Sequence, residues 1–272
     1  MSSSLPLILE PAALASRLDD PNLLIVDLCQ AQVWQKMHLP GAVHVSPAEL
    51  VRGTPPVPGL LPTQEQLDAL FSRIGYTPEL HIVAYDDEGG GWAGRFLWTL
   101  DVIGHQHMSY LNGGLHAWYR EEHPLTDEIR PVAPTAVSLN QDNAVSADVD
   151  DILAAIAQHD VRIWDARSPE EYAGLKSSSA RAGHIPGAVN LDWLELMDRA
   201  HNLRLLPEAD LRRKLEQSGI APGDPIITHC QSHHRSGLSY LAAKWLGHPV
   251  KAYPGSWAEW GNRADLPLET NA

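Results

Sequence analysis

The chain is poor in cysteine, in positive charge and in long apolar runs. Two cysteines occur in 272 residues, Cys29 and Cys230. Two cannot build a disulfide framework, and no CxxC pair is available to hold zinc. A reducing compartment, the cytoplasm, is the expectation. Lys and Arg number 20 against 34 Asp and Glu, a formal net charge of -14. That balance argues against non-specific binding to nucleic acid or to an anionic membrane surface. It also means that an anionic substrate must be drawn in by a local positive patch. The first stretch, "MSSSLPLILEPAALASRL", has no basic leader, and Pro6 and Glu10 interrupt its apolar residues. Neither a signal peptide nor a membrane span is expected.

What is there is a duplication. "HLPGAVHV" (38–45) recurs as "HIPGAVNL" (184–191), five identities in eight positions. "LLIVDL" (23–28) answers "VRIWDA" (161–166), and "HIVAYD" (81–86) answers "PIITHC" (225–230). "NGGLHAW" (112–118) answers "PGSWAEW" (254–260), and an insertion, "GLKSSSARA", is present in the second copy alone. The length and a hydrophobic content of 44% suit two domains. The expected division is an N-terminal domain at 1–130, a linker at 131–147 and a C-terminal domain at 148–272. The linker reading rests on "RPVAPTAVSLNQDNAVSA", which has two prolines and no amphipathic period.

Both copies read as α/β. The short β-branched runs are bounded by Gly, Pro and Asp, as buried parallel strands are. Helices lie between them. Thr63 and Gln66 form a capping-box pattern ahead of Leu67, Leu70, Phe71 and Ile74, and Gly75 ends the run. In the second copy Glu208 and Asp210 precede Arg212, Arg213 and Lys214, the charge order a helix dipole favours. Alternating strands and helices predict a parallel sheet covered on both faces.

The stretch "THCQSHHRSG" (228–237) stands between one such strand and the helix "SGLSYLAAKWLG". Open α/β sheets bind ligands at such junctions, where free N–H groups and the positive helix end attract anions. A cysteine there has a depressed pKa, so Cys230 is a candidate nucleophile, with Arg235 and neighbouring histidines adding positive potential. His229, Cys230, His233 and His234 are possible metal ligands as well. Against this, no second ligand group is paired with them, and adjacent residues on a strand point to opposite faces. Cysteine phosphatases also place a cysteine loop before a helix, with C-x5-R spacing, whereas Cys230 and Arg235 are separated by four residues. The smaller cradle fits a sulfur atom better than a tetrahedral phosphate.

The tandem plan, "RAGHIPGAVN" ahead of the loop, "CQSHHRS" at the strand end and "YPGSWAEW" after the helix together resemble the rhodanese family, over about residues 15–268. The loop is similar to that of bacterial two-domain members of the Azotobacter type. The resemblance implies two tandem rhodanese-like domains, each a parallel sheet with helices on both faces, the second one catalytic. It implies a thiosulfate sulfurtransferase working by ping-pong transfer through a Cys230 persulfide, with cyanide or a thiol as acceptor and no metal or organic cofactor. The persulfide would be held by Gln231, Ser232, His233, His234, Arg235 and Ser236. The mitochondrial thiosulfate enzymes carry an Arg where this chain has Pro186 and a Lys where it has Ser232. His233, His234, Arg235 and Arg181 are the available substitutes, and Trp193 is a further candidate for the pocket. Alternatives are 3-mercaptopyruvate as donor, a persulfide carrier serving a protein client, and a phosphatase or arsenate reductase.

The first copy has Asp86 at the position of Cys230, followed by "DEGGGWAGR". A carboxylate cannot carry sulfur, and the glycine run lacks the G-K-[ST] of a phosphate loop, so this copy is expected to be catalytically silent. Cys29 is expected as a buried small hydrophobe. Asp27, Asp165, His38, His184, Trp118 and Trp260 sit in equivalent positions of the two copies and are expected to be structural.

Overall fold

The β-branched runs of both halves form parallel strands. In this computed structural model, which describes residues 5–271, the first sheet has the order Ile8–Leu9, Met108–Leu111, His81–Tyr85, Leu23–Asp27, Val43–His44. Every neighbouring pair in it is parallel. The second sheet runs Val250–Ala252, Ile226–His229, Arg162–Asp165, Val189–Asn190, and is again parallel throughout. The two orders correspond strand for strand. Where the first sheet has its extra edge strand Ile8–Leu9, the second has the single bridge from Ser146 to Ala252.

The chain divides into two compact units. The first holds residues up to Leu50, Pro62–Asp142 and Asp198–Leu205. The second holds Val51–Leu61, Asn143–Met197 and the chain from Leu206 onward. Residues 131–142 lie in the first unit and 143–147 in the second, and each part is hydrogen-bonded within its own unit. Thr135 exchanges hydrogen bonds with Ser72 and donates to the Tyr76 carbonyl, and Leu139 N–H donates to Asp68. Further on, Ala147 N–H donates to the Ala252 carbonyl.

Each sheet carries helices on both faces. In the second unit Ile163 and Ile227 occupy paired positions and pack with Val149, Ile152 and Ala155 of one helix and with Trp257 and Trp260 of another. Side chains alternate along a strand, so Ile226 and Thr228 face the other side. The helix Arg235–Trp245 packs there and buries all but its end residues, the small polar Ser236 and Ser239 included. Full burial of each large apolar side chain contributes about 1.5–3 kcal/mol. The capping box at Thr63 and Gln66 is formed, and that helix spans Gln64–Arg73. The charge-ordered helix is Glu208–Gln217, with Glu208–Arg212 and Asp210–Arg213 ion pairs along it.

The duplicated polar residues brace the units. His38 Nδ1 lies 2.9 Å from the Trp34 carbonyl, and His184 Nδ1 lies 2.8 Å from that of Tyr172, on whose ring it stacks. Asp27 accepts from Cys29 N–H at 2.7 Å and from the Tyr85 hydroxyl. Cys29 is fully buried, and burial together with Asp27, Asp87 and Asp86 pushes its thiol far above the ordinary value.

Candidate active site

Cys230 is the first residue beyond the strand Ile226–His229, which is flanked on both sides by parallel neighbours. Its loop therefore leaves the C-terminal edge of the sheet from an interior strand. The following segment fixes the way it leaves. The Cys230 and Gln231 carbonyls accept from Trp257 and Ala258 N–H groups, each at 2.9 Å. Cys230 N–H donates to Ser256 Oγ at 3.4 Å, and that hydroxyl donates to the Tyr253 carbonyl. Gln231 reaches Ser179 Oγ, within the insertion, at 3.2 Å. Gly59 packs against the loop from behind: a Cβ there would lie 2.3 Å from the Ser232 carbonyl oxygen.

The loop backbone is bent into a cradle. His233 adopts a left-handed conformation, φ +53°, and His234 returns to the right-handed region at the start of the helix Arg235–Trp245. Alternation of this kind turns successive N–H groups inward, which makes an anion-binding concavity. The Cys230 sulfur lies within it, and the residue is 1% exposed. Burial pushes the thiol pKa up. The Arg235 charge, the Ser236 hydroxyl and the N–H groups of Ser236 and Ser232 outweigh burial and hold the thiol below its ordinary value.

Arg235 is held from outside the loop. Its two terminal nitrogens donate to Glu171 at 2.6 and 2.9 Å, a two-point contact that fixes the plane of the guanidinium. Glu171 also receives the Ser168 N–H, as part of the capping box of the helix Pro169–Ala173. Burial pushes Glu171 up, and Arg235 more than offsets it. A second buried pair lies beneath the loop. Arg167 binds both oxygens of Asp165, donates to the Gly183 carbonyl at 2.8 Å and lies over the Trp257 ring. Burial pushes the Asp165 carboxyl up, and the neighbouring His229 and Arg167 together hold it below its ordinary value. His229 Nε2 is 3.7 Å from Asp165; burial depresses its pKa, so Arg167 supplies the compensating charge.

The residues singled out from the sequence fall into two groups. Cys230, Gln231, Ser232, His233, His234, Arg235 and Ser236 form one loop, and Trp193 meets it through the His234 ring at 5.8 Å. Arg181 is placed differently. Its guanidinium donates to the Trp260 and Leu266 carbonyls at 2.8 and 2.7 Å, which makes it a brace for the C-terminal segment. Sequence reasoning missed Glu171, Arg167, Ser256 and Gly59. The Ser168-x-x-Glu171 capping signature was legible, but the distance to Arg235 across 64 residues was not. Among the described residues, no group of three or more His, Cys, Asp or Glu is placed to hold a metal ion, and no helix is long and apolar enough to cross a membrane.

The first unit repeats the cradle with a different occupant. Asp86 follows the strand His81–Tyr85 and is fully buried. One carboxylate oxygen accepts from Glu88, Gly89 and Gly90 N–H at 3.1, 3.1 and 2.8 Å, and the other from Ala93 at 3.0 Å. The loop amides thus hold an anion that the chain itself supplies. Burial and the nearby Glu88 raise its pKa to about 6 despite these donors.

The rhodanese-like domain matches residues 10–121 and again 148–263. The chain is similar to the thiosulfate sulfurtransferase of Azotobacter vinelandii, 52% identical over 270 residues and 98% of each chain. It is 50% identical to that of Pseudomonas aeruginosa over 268 residues, again 98% of each. The crystal structure of the 3-mercaptopyruvate sulfotransferase SseA from Escherichia coli superposes with a TM-score of 0.83 at 29% identity, covering 93% of this chain and 99% of that one. With two matched domains and full-length relatives on the same plan, this chain belongs to the rhodanese family.

Proposed function

We propose that the protein is a thiosulfate sulfurtransferase and that Cys230 carries the sulfur. The observation that carries this reading is a thiol held below its ordinary pKa inside a ring of N–H donors, with Arg235 fixed beside it. Two full-length relatives named thiosulfate sulfurtransferase support the donor.

In the first half-reaction the Cys230 thiolate attacks the outer sulfur of thiosulfate. A bond forms from Sγ to that sulfur, the bond to the sulfonate sulfur breaks, and its electron pair leaves with sulfite. The product is the persulfide Cys230–S–S⁻, whose terminal charge the loop amides and Arg235 stabilise as an oxyanion hole stabilises oxygen. In the second half-reaction cyanide or a thiolate attacks the outer sulfur, and the electron pair returns to Cys230. The resting thiolate and the persulfide each place one negative charge in the cradle, so little reorganisation is needed between the two enzyme forms.

The C-terminal unit does this chemistry, and the N-terminal one is silent because the Asp86 carboxylate fills the equivalent cradle. Cytoplasmic residence fits two unpaired cysteines. Initial rates with thiosulfate and cyanide test the reading. Parallel double-reciprocal lines are expected, as a covalent intermediate requires. Intersecting lines, or turnover of an aryl phosphate in place of thiosulfate, would contradict it.

A further inference from the structure

His233 is a buried histidine inside the loop, and neither sulfur chemistry nor metal binding accounts for it. It is 0% exposed, and its Nδ1 lies 2.8 Å from Ser236 Oγ. Ser236 is equally buried, and its hydroxyl is also a hydrogen-bond partner of the Cys230 sulfur.

A serine hydroxyl has one hydrogen to give. If His233 carries its proton on Nε2, Nδ1 is a lone pair that takes the Ser236 hydrogen away from the sulfur. If the proton is on Nδ1, the imidazole donates to Ser236 Oγ, and the hydroxyl hydrogen is released toward Cys230. Both groups are shut off from water, so no solvent molecule supplies the missing donor in the first arrangement. A thiolate accepts and cannot donate, so its presence selects the second.

We infer that His233 is a positioning residue whose Nδ1–H donates to Ser236 Oγ and so turns the Ser236 hydroxyl hydrogen onto the Cys230 sulfur. The inference rests on the proposed role of Cys230 and deepens it. The left-handed backbone at His233 belongs to the same device, because it brings a side chain three residues before Ser236 back over the start of the helix. Other charged and titratable groups in and around the loop include Arg235, backed by Glu171, His234, whose ring lies against Trp193, and His229, which neighbours Cys230 and lies 3.7 Å from Asp165 of the Asp165–Arg167 pair. Arg235 is cationic at every relevant pH and does not mimic the effect of altering His233.

Two measurements test this. In the full-length reduced protein, ring 15N shifts assigned to His233 above the thiol pKa are expected to report the Nδ1–H tautomer; the Nε2–H tautomer would overturn the inference. The second is the pH profile of Cys230 alkylation in a Cys29→Ala background. His233→Phe and Ser236→Ala are each expected to move the profile up by about one pH unit, tenfold less thiolate on the acid side. The double variant moves it no further than Ser236→Ala alone. His233→Asn tolerates the left-handed backbone and keeps a donor near the Nδ1 position, so it retains most of the wild-type profile. Additive shifts, or an unmoved profile in His233→Phe, would overturn the relay. Neither measurement requires sulfur transfer, so a wild-type protein inactive with thiosulfate would sink the proposed function and leave these readouts intact.

Discussion

Arg235 and Glu171 meet through two hydrogen bonds of 2.6 and 2.9 Å, and this contact holds the guanidinium beside the Cys230 sulfur. The loop alone does not fix its own cation; a helix from the preceding segment does. A lysine at 235 would keep the charge but not the planar fork that binds Glu171 at two points. Arg235→Lys is expected to raise the thiol pKa and lower kcat/KM for thiosulfate about tenfold or more, a loss of about 1.4 kcal/mol or more in transition-state stabilisation. It is expected to cost about 1–3 kcal/mol of stability, because Glu171 keeps a charged neighbour but loses one of its two charge-assisted hydrogen bonds. Steady-state kinetics and urea unfolding check both. Unchanged kcat/KM would show that charge alone suffices.

The thiol also sets a pH dependence. An unperturbed cysteine titrates near 9.0, and Cys230 lies below that. The reactive species is the thiolate, so kcat/KM for thiosulfate is expected to fall as pH drops through the lowered value and to be flat above it. The linkage has the same sign. A depressed folded-state pKa contributes stability that is fully present above the unfolded value and lost as pH falls through the folded one. Wild type is therefore expected to gain stability over Cys230→Ser as pH rises toward 9. An acid limb at or above 9 would contradict the cradle.

Gly59 predicts a steric effect. A methyl group there would lie 2.3 Å from the Ser232 carbonyl and 2.8 Å from that of Pro254, both backbone atoms that cannot rotate aside. Gly59→Ala must push the loop, at a cost of about 1–3 kcal/mol. Activity is expected to fall more than stability alone explains, because the displaced loop carries the N–H donors that the proposed persulfide would use. A fully active Gly59→Ala would mean that the loop tolerates displacement.

Asp86 carries the opposite linkage to Cys230. Its folded pKa is raised to about 6 from 3.8, so the native state binds the extra proton. Stability is expected to fall as pH rises from about 4 to about 6 on account of this group. Asp86→Asn removes that titration, so the stability difference between wild type and variant should change across this window. Chemical unfolding at several pH values measures it. A constant difference would mean that the amides hold Asp86 ionised throughout.

Much of this was legible in the sequence. Duplication, parallel strands, the capping box at Thr63 and the strand–loop–helix setting of Cys230 all follow from local pattern and repeated order. Asp86 was legible as the replaced cysteine, although not as a carboxylate occupying its own loop. Contacts between distant segments were not legible. Glu171 and Gly59 reach the loop from 64 and 173 positions away, and no single-sequence period records such a meeting. Arg181 illustrates the converse. Its charge, five positions before Pro186, suggested a substitute for the missing cation, yet its two terminal nitrogens donate to the Trp260 and Leu266 carbonyls. Side-chain direction, rather than residue type, decided that.

The central claim is that sulfur resides on Cys230. Intact mass of the purified protein before and after thiosulfate tests it directly. The expected result is a gain of one sulfur atom, removed by cyanide, absent in Cys230→Ala and retained in Cys29→Ala. A gain that survives in Cys230→Ala, or none in the wild type, would contradict the account.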